Sequence, residues 1–149
     1  MSNIPQFVKY AAAFEEAFRG DDWSAIAPFF TEDSRYDAHL PPPLGGSFAG
    51  RPAVLSYFKY VLDAFDRRFA TREVSLIAGP RESGDAVWIR GGARYTAPGL
   101  PELYFELEET VTFAGDRIRL LEDRYEPATI ERMQAYLRAN GAKLGISGS

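Results

Sequence analysis

The chain contains no cysteine and only one histidine, His39, among its 149 residues. Disulfides, thiolate nucleophiles and cysteine-ligated zinc sites are therefore excluded, and so is a metal site built from several histidines. Basic charge is also scarce, since 17 Lys and Arg face 21 Asp and Glu, giving a net charge of −4. Nucleic acid is bound through clustered basic side chains, so this balance argues against nucleic acid as a partner. We expect neither a metal nor another cofactor.

Long apolar runs are missing as well. No stretch approaches the roughly 18 consecutive apolar residues that would suggest a transmembrane helix. The N-terminal residues MSNIPQFVKYAAAFEEAF carry a lysine and two glutamates where a signal peptide needs an uninterrupted apolar core. These features predict a cytoplasmic protein that does not bind a membrane. The length and a hydrophobic content of 46% predict one domain, residues 1–141, followed by a flexible Gly- and Ser-containing tail, residues 142–149.

The first half of the chain has helical periodicity. Apolar residues recur every three to four positions between Phe7 and Gly20, which predicts an amphipathic helix. Asp21 or Asp22 can cap a short second helix with the apolar residues Trp23, Ile26, Phe29 and Phe30, and a third helix begins at the Gly50-Arg51-Pro52 signal. The intervening residues 34–50, SRYDAHLPPPLGGSFAG, predict a short extended piece and then an irregular pocket rim.

After residue 70 the apolar period changes from 3.6 to 2, which is typical of strands. The pattern predicts antiparallel strands at about 72–79, 84–97, 103–114 and 117–126, divided by turn signals that include Gly79-Pro80. A final helix should open at Pro127 and stop at Asn140-Gly141. The order of elements predicts an α+β fold with helices packed on one face of a bent sheet.

Two segments carry a family resemblance. Residues 17–58, AFRGDDWSAIAPFFTEDSRYDAHLPPPLGGSFAGRPAVLSYF, and residues 108–125, EETVTFAGDRIRLLEDRY, resemble SnoaL-like and ketosteroid isomerase-like proteins of the nuclear transport factor two-like (NTF2-like) superfamily. The resemblance spans about residues 7–126. It implies a cone-shaped, strongly curved, mostly antiparallel sheet with three N-terminal helices enclosing a pocket, to which this chain adds a C-terminal helix. It also implies a homodimer formed through the outer sheet face.

The ketosteroid isomerase pattern can be compared position by position. Its helix-one tyrosine falls on Phe14, its carboxylate base on Ala38 and its strand aspartic acid on Glu109. Only the last position keeps a carboxyl, so the resemblance does not predict steroid isomerisation by the usual mechanism. A one-residue shift of the short strand would instead place His39 or Asp37 near the base position.

Glu109, His39 and Asp123 are the candidate catalytic residues. Strand parity places Glu109 on an otherwise apolar face, where burial would raise its pKa, unless a bulge reverses the face or Arg94 neutralises it. His39 is a candidate base before the proline-rich rim, or else a surface histidine. Asp123 shares parity with Leu121 and could orient either group, or it could form a salt bridge at the strand end.

Candidate ligand contacts come from the aromatic and basic side chains. We predict that Phe14, Tyr57, Trp88, Tyr95 and Arg94 bind the ligand. Trp88 and Arg94 share one face of their strand and Tyr95 lies on the other, and the sequence leaves open which face lines the cavity. The charged runs that contain Glu102, Glu106 and Glu108, and Asp66-Arg67-Arg68, read as solvated surface.

Two functions are compatible with these residues. The first is an enzyme without a cofactor that carries out acid/base chemistry, such as isomerisation, cyclisation, dehydration or hydrolysis, on an apolar small molecule, cyclic compounds included. The second is a non-catalytic ligand-binding or dimerising module, which the missing groups at Phe14 and Ala38 favour.

Overall fold

A computed structural model describes residues 2–146 of the protein. Four helical elements occupy the first half: α1 (Ile4–Gly20), a 3-10 helix (Trp23–Phe29), α2 (Arg51–Ala64) and a 3-10 turn (Asp66–Arg68). Six strands form the sheet: β1 (Phe30–Ala38), β2 (Gly46–Ala49), β3 (Thr71–Ser83), β4 (Ala86–Thr96), β5 (Leu103–Ala114) and β6 (Arg117–Arg124). The last element is α3 (Pro127–Leu144).

The six strands form one curved sheet in the order β2-β1-β6-β5-β4-β3. All neighbours are antiparallel except β1 and β6, which run parallel. The strands from β3 to β6 form a meander. β1 pairs with β6, although β2 to β5 lie between these two strands in the sequence. The expected α+β fold with a curved, mostly antiparallel sheet is confirmed.

The helices pack their apolar faces on the concave side of the sheet. On α1, the buried residues Phe7, Tyr10 and Ala17 recur at helical spacing and face the core. The helix ends where Asp21 takes a left-handed conformation with φ of 52°. α2 starts after Gly50, whose φ of 94° is in the region that only glycine adopts readily, so the chain can turn sharply from β2 into the helix.

Three predicted boundaries differ from the structure. Residues 34–50 contain most of β1 and all of β2, because Ser34, Tyr36 and Ala38 alternate inward, and Tyr36 and Ala38 pair with both neighbouring strands. Gly79-Pro80 is not a turn, since β3 runs on to Ser83 with irregular pairing around these residues. α3 continues to Leu144, so residues 142–144 of the predicted tail are helical, and residues 147–149 lie outside the described residues.

Within residues 2–146, none of the helices combines the length and the apolar content that crossing a bilayer requires.

Candidate functional site

A cavity of about 390 Å³ lies between the inner sheet face and the helices α1 and α2. Its wall is mainly apolar and aromatic, and it includes three of the predicted ligand contacts, Phe14, Tyr57 and Tyr95. Rings from different elements pack together there, as in the edge-to-face contact of Phe14 with Phe58 at 5.2 Å between centroids. A cavity of this size and lining suits a small apolar molecule.

Two carboxyl groups face each other in this apolar wall. Glu109 on β5 is directly opposite Asp123 on β6 in the antiparallel register, and both residues line the cavity. Glu109 follows the inward parity of Leu103 and Phe105, as its sequence position predicted. Asp123 is only 5% exposed, whereas Glu109 keeps some accessible surface. Glu109 is therefore the carboxyl that a ligand can touch, and Asp123 lies behind it.

Tyr36 completes this group from β1. Its hydroxyl donates a hydrogen bond to Oδ2 of Asp123. Within residues 2–146, Oδ1 of Asp123 is buried and receives no hydrogen bond from an N–H or hydroxyl group. A proton on Glu109 would supply a donor to this oxygen, which is costly to leave unsatisfied. The geometry thus favours a Glu109–Asp123 pair that retains a proton.

The electrostatics of the pair lead to the same conclusion. Burial raises the pKa of Glu109 well above its ordinary value, and the negative charge of Asp123 raises it further. Burial also raises the pKa of Asp123, although hydrogen bonds with Glu109 and Tyr36 oppose that shift. Two carboxyls this close titrate as a unit, and burial together with their mutual repulsion favours forms of the pair that keep a proton.

A second polar group lies elsewhere in the cavity wall. The hydroxyl of Tyr95 donates to Oδ1 of Asp66, and Arg72 Nη1 donates to Oε1 of Glu15 at 2.8 Å. Arg72 Nε is 3.8 Å from Oδ1 of Asp66. Burial raises the pKa of Asp66 to about 6, even though the Tyr95 hydrogen bond and the charge of Arg72 lower it.

The structure does not bring His39 into the cavity. Its side chain is 42% exposed and does not belong to the cavity lining, and its Nε2 lies 3.2 Å from Oε2 of Glu122. The cause is parity, because Ala38 is buried beside Asp123 and the next residue points to the other side of the sheet. Of the three candidate catalytic residues, the structure therefore brings together only Glu109 and Asp123.

Trp88 and Arg94 also lie outside the cavity. Trp88 Nε1 donates to Oε1 of Glu108 at 3.0 Å, and Arg94 pairs with Glu102 on the outer face of the sheet. The opposite face of β4, which carries Tyr95, lines the cavity. Arg94 consequently does not neutralise Glu109, which was one of the alternatives that the sequence left open.

Tyr36 and Asp66 are among the polar residues of the wall that sequence reasoning did not single out. Tyr36 lies in the short extended piece that the sequence predicts, but it was not a candidate, although alternation of Ser34, Tyr36 and Ala38 with charged residues was a usable signal. Asp66 was read as solvated surface together with Arg67, yet its side chain is only 7% exposed while Arg67 is exposed. No local pattern distinguishes Asp66 from its charged neighbours.

Within the part of the chain that the structure describes, no group of three or more His, Asp or Glu residues is arranged to hold a metal ion.

Comparisons with known proteins identify the family and the fold of the chain. A family model described as a SnoaL-like domain matches residues 11–125. An NTF2-like protein of unknown function from Burkholderia pseudomallei is 21% identical, with 91% of this chain and 98% of that chain covered and a TM-score of 0.66. No curated protein matches the sequence.

Two further solved structures are similar. An LEH-like epoxide hydrolase from M. tuberculosis is 15% identical, with 94% of this chain and 96% of that chain covered and a TM-score of 0.63. A candidate polyketide cyclase from Xanthomonas campestris pv. campestris is 20% identical, with 91% and 99% covered and a TM-score of 0.61. At these identities the likeness establishes the fold alone.

Proposed function

The chain belongs to the SnoaL-like domain family, and from this premise we propose that it is an enzyme that transfers protons on an apolar small molecule bound in its cavity. The observation that carries the proposal is the Glu109–Asp123 pair in an apolar wall. Paired carboxyls with raised pKa values are unusual outside sites that use them.

The charge of the pair indicates the direction of proton transfer. In the proposed resting form the pair shares one proton, and it becomes neutral when it accepts a second proton, which removes a buried charge. Losing its proton would instead place two negative charges side by side. Glu109 would therefore take a proton from the substrate as the base, while its own proton moves to Asp123, and the pair would then return a proton at another atom.

The remaining residues have supporting roles in this mechanism. Tyr36 holds Asp123 through its hydrogen bond, so Asp123 is a positioning residue that also receives the shared proton. Tyr10 lines the same cavity, and after burial the charge of Glu109 is the next cause of its raised pKa, which places its phenol near the pair. A neutral phenol there can donate to an oxygen that gains negative charge.

The reaction class follows from a base that returns its proton. Isomerisation, cyclisation and dehydration need such a transfer, and hydrolysis needs the same base to activate a water. The likeness to an epoxide hydrolase and to a candidate polyketide cyclase supports this range. Phe14 and Ala38 lack the phenol and the carboxylate of the usual steroid isomerase mechanism, so that activity is not proposed.

A non-catalytic ligand-binding role is the second candidate, and the aromatic character of the wall favours it. We also propose a cytoplasmic homodimer that pairs through the outer sheet face. Size-exclusion chromatography coupled to light scattering tests the dimer, and a purely monomeric protein would refute it.

Exchange of α-protons in bicyclic and tricyclic ketones tests the enzymatic proposal. Purified protein is incubated with 1-tetralone and its tricyclic homologues in D₂O, and deuterium incorporation is followed by NMR. We expect the wild-type protein to accelerate exchange and the Glu109→Gln variant to lose about 100-fold or more of that acceleration. Glu108→Gln is the matched control, since Glu108 bonds to Trp88 on the outer face.

The two functions predict different results in this experiment. Undiminished exchange in Glu109→Gln contradicts the role of the pair. Binding of the ketones without accelerated exchange in the wild-type protein supports the ligand-binding role instead.

A further inference from the structure

The cavity is polar at two separate places along the sheet. On β4, Ile89 is opposite Glu109 and Tyr95 is opposite Arg72, and both Ile89 and Tyr95 line the cavity. Tyr95 lies six positions after Ile89 on the same face of β4, so the two polar places are apart along the strand. Between them on the same face lie Gly91 and Ala93, which have little or no side chain and leave room for a ligand.

At the second polar place, beside Tyr95 and Arg72, Asp66 has a carboxyl oxygen that can still accept a hydrogen bond. Its side chain is 7% exposed and lines the cavity, and Oδ1 accepts the hydrogen bond from Tyr95. No side chain within residues 2–146 donates a hydrogen bond to Oδ2, and this oxygen is not among the buried atoms that lack a partner. Oδ2 therefore remains accessible to a group that enters the cavity.

The charges around Asp66 select the type of group. Both terminal nitrogens of Arg72 are hydrogen-bonded to Glu15, at 2.8 Å and 3.4 Å, so these two residues neutralise each other. Arg72 Nε is also 3.8 Å from Oδ1 of Asp66, so one cation is shared by two carboxyls and Asp66 keeps acceptor character. The carboxyls of Glu109 and Asp123 line the same cavity. A carboxylate on the ligand would be repelled at both places, whereas a hydroxyl would be bound without a change in charge.

We propose that Asp66 accepts a hydrogen bond from a hydroxyl of the ligand, so that the ligand is an apolar ring system with a hydroxyl at one end and another polar group at the other. The other polar group of the ligand would lie at Glu109. That it is the group that reacts rests on the proposed function. Binding at Asp66 does not depend on turnover. Binding at Asp66 and turnover at Glu109 can therefore be tested separately.

Isothermal titration calorimetry with matched compounds tests the proposal. The probes are 6-hydroxy-1-tetralone, 6-methoxy-1-tetralone and 6-carboxy-1-tetralone, together with the corresponding tricyclic ketones. The hydroxyl compound of at least one ring size should bind about tenfold more tightly than its methoxy partner, because a hydrogen bond to a carboxylate is lost on methylation. Asp66→Asn should reduce this preference to about twofold or less. Asp63→Asn on the exposed part of α2 is the matched control and should leave it unchanged.

Three outcomes would overturn the proposal. These are equal affinities of hydroxyl and methoxy compounds in the wild-type protein, tightest binding of the carboxylate, and absence of binding for both ring sizes. A hydroxyl preference that depends on Asp66 supports the proposal even where proton exchange fails, and that combination would contradict only the enzymatic function.

Discussion

Ala38 and Asp123 are partners in the parallel pairing of β1 with β6. Ala38 is the position at which the ketosteroid isomerase pattern has its carboxylate base, and it is buried here without a polar group. The carboxyl of Asp123 lies on the adjacent strand, directly beside this position. The wall of the cavity therefore has a carboxyl at this level, although it comes from a different strand and is held by Tyr36.

Tyr36→Phe should destabilise the protein and weaken the positioning of Asp123. The change removes the hydroxyl that donates to Oδ2 and leaves a buried acceptor unsatisfied, at a cost of about 1–3 kcal/mol in the free energy of unfolding. Urea denaturation measures this cost. Tyr60→Phe, at a tyrosine that is 42% exposed, should change stability by less than about 0.5 kcal/mol. Equal stability of the two variants would contradict the assigned hydrogen bond.

His39→Gln should leave proton exchange within about twofold of the wild-type rate, because the side chain lies outside the cavity beside Glu122. Removal of a true general base would cost about 100-fold or more. The tetralone exchange assay measures the rate, and the Glu109→Gln variant provides the reference for loss of a base. A drop of that size in His39→Gln would return this residue to the catalytic set.

Asp66 should make folding less favourable as pH rises. Its pKa is 3.8 as a free group and about 6 in the folded protein, so the folded state binds the proton more tightly and its stability falls as pH rises from about 4 to about 6. The shift corresponds to about 3 kcal/mol. Urea denaturation at about pH 4 and about pH 7 should show this fall to be smaller in Asp66→Asn than in the wild-type protein. An unchanged pH dependence in the variant, relative to Asp63→Asn, would contradict the burial of a titrating Asp66.

Gly45→Ala should disturb the loop before β2. A Cβ at this position would lie 1.9 Å from the backbone oxygen of Leu40, so the loop that carries Leu40 and Leu44 into the cavity wall must shift. We expect a loss of about 1–3 kcal/mol in the free energy of unfolding. Gly20→Ala at the end of α1 is the control, since its Cβ would meet nothing within 4 Å. Similar stability of both variants would show that the loop adapts freely.

Local periodicity predicted most of the fold. The 3.6-residue pattern located α1 and α2, and the period of 2 located the four strands of the meander to within a few residues at most ends. The same alternation predicted that Glu109 points inward, which is a purely local property of β5. Gly79-Pro80 was predicted to be a turn, but β3 continues through it. β3 is an edge strand, where a residue without an N–H is tolerated within the strand.

Local sequence patterns do not predict which residues contact the site residues. Tyr36 and Asp123 are brought together by the pairing of two strands that lie far apart in the sequence, and no turn signal predicts that pairing. Asp66 is buried because the chain between α2 and β3 passes under Tyr95 and Arg72, again through a distant contact. Such contacts depend on topology and cannot be read from composition or spacing.

The parallel junction of β1 and β6 also has a consequence for biosynthesis. β3 to β6 are joined by short connections and can pair as they emerge from the ribosome, whereas β1 has no parallel partner until β6 has been synthesised. Closing so long a loop is entropically costly, which places this step late in assembly. Until then β1 has one unpaired edge, and such an edge can pair with another chain.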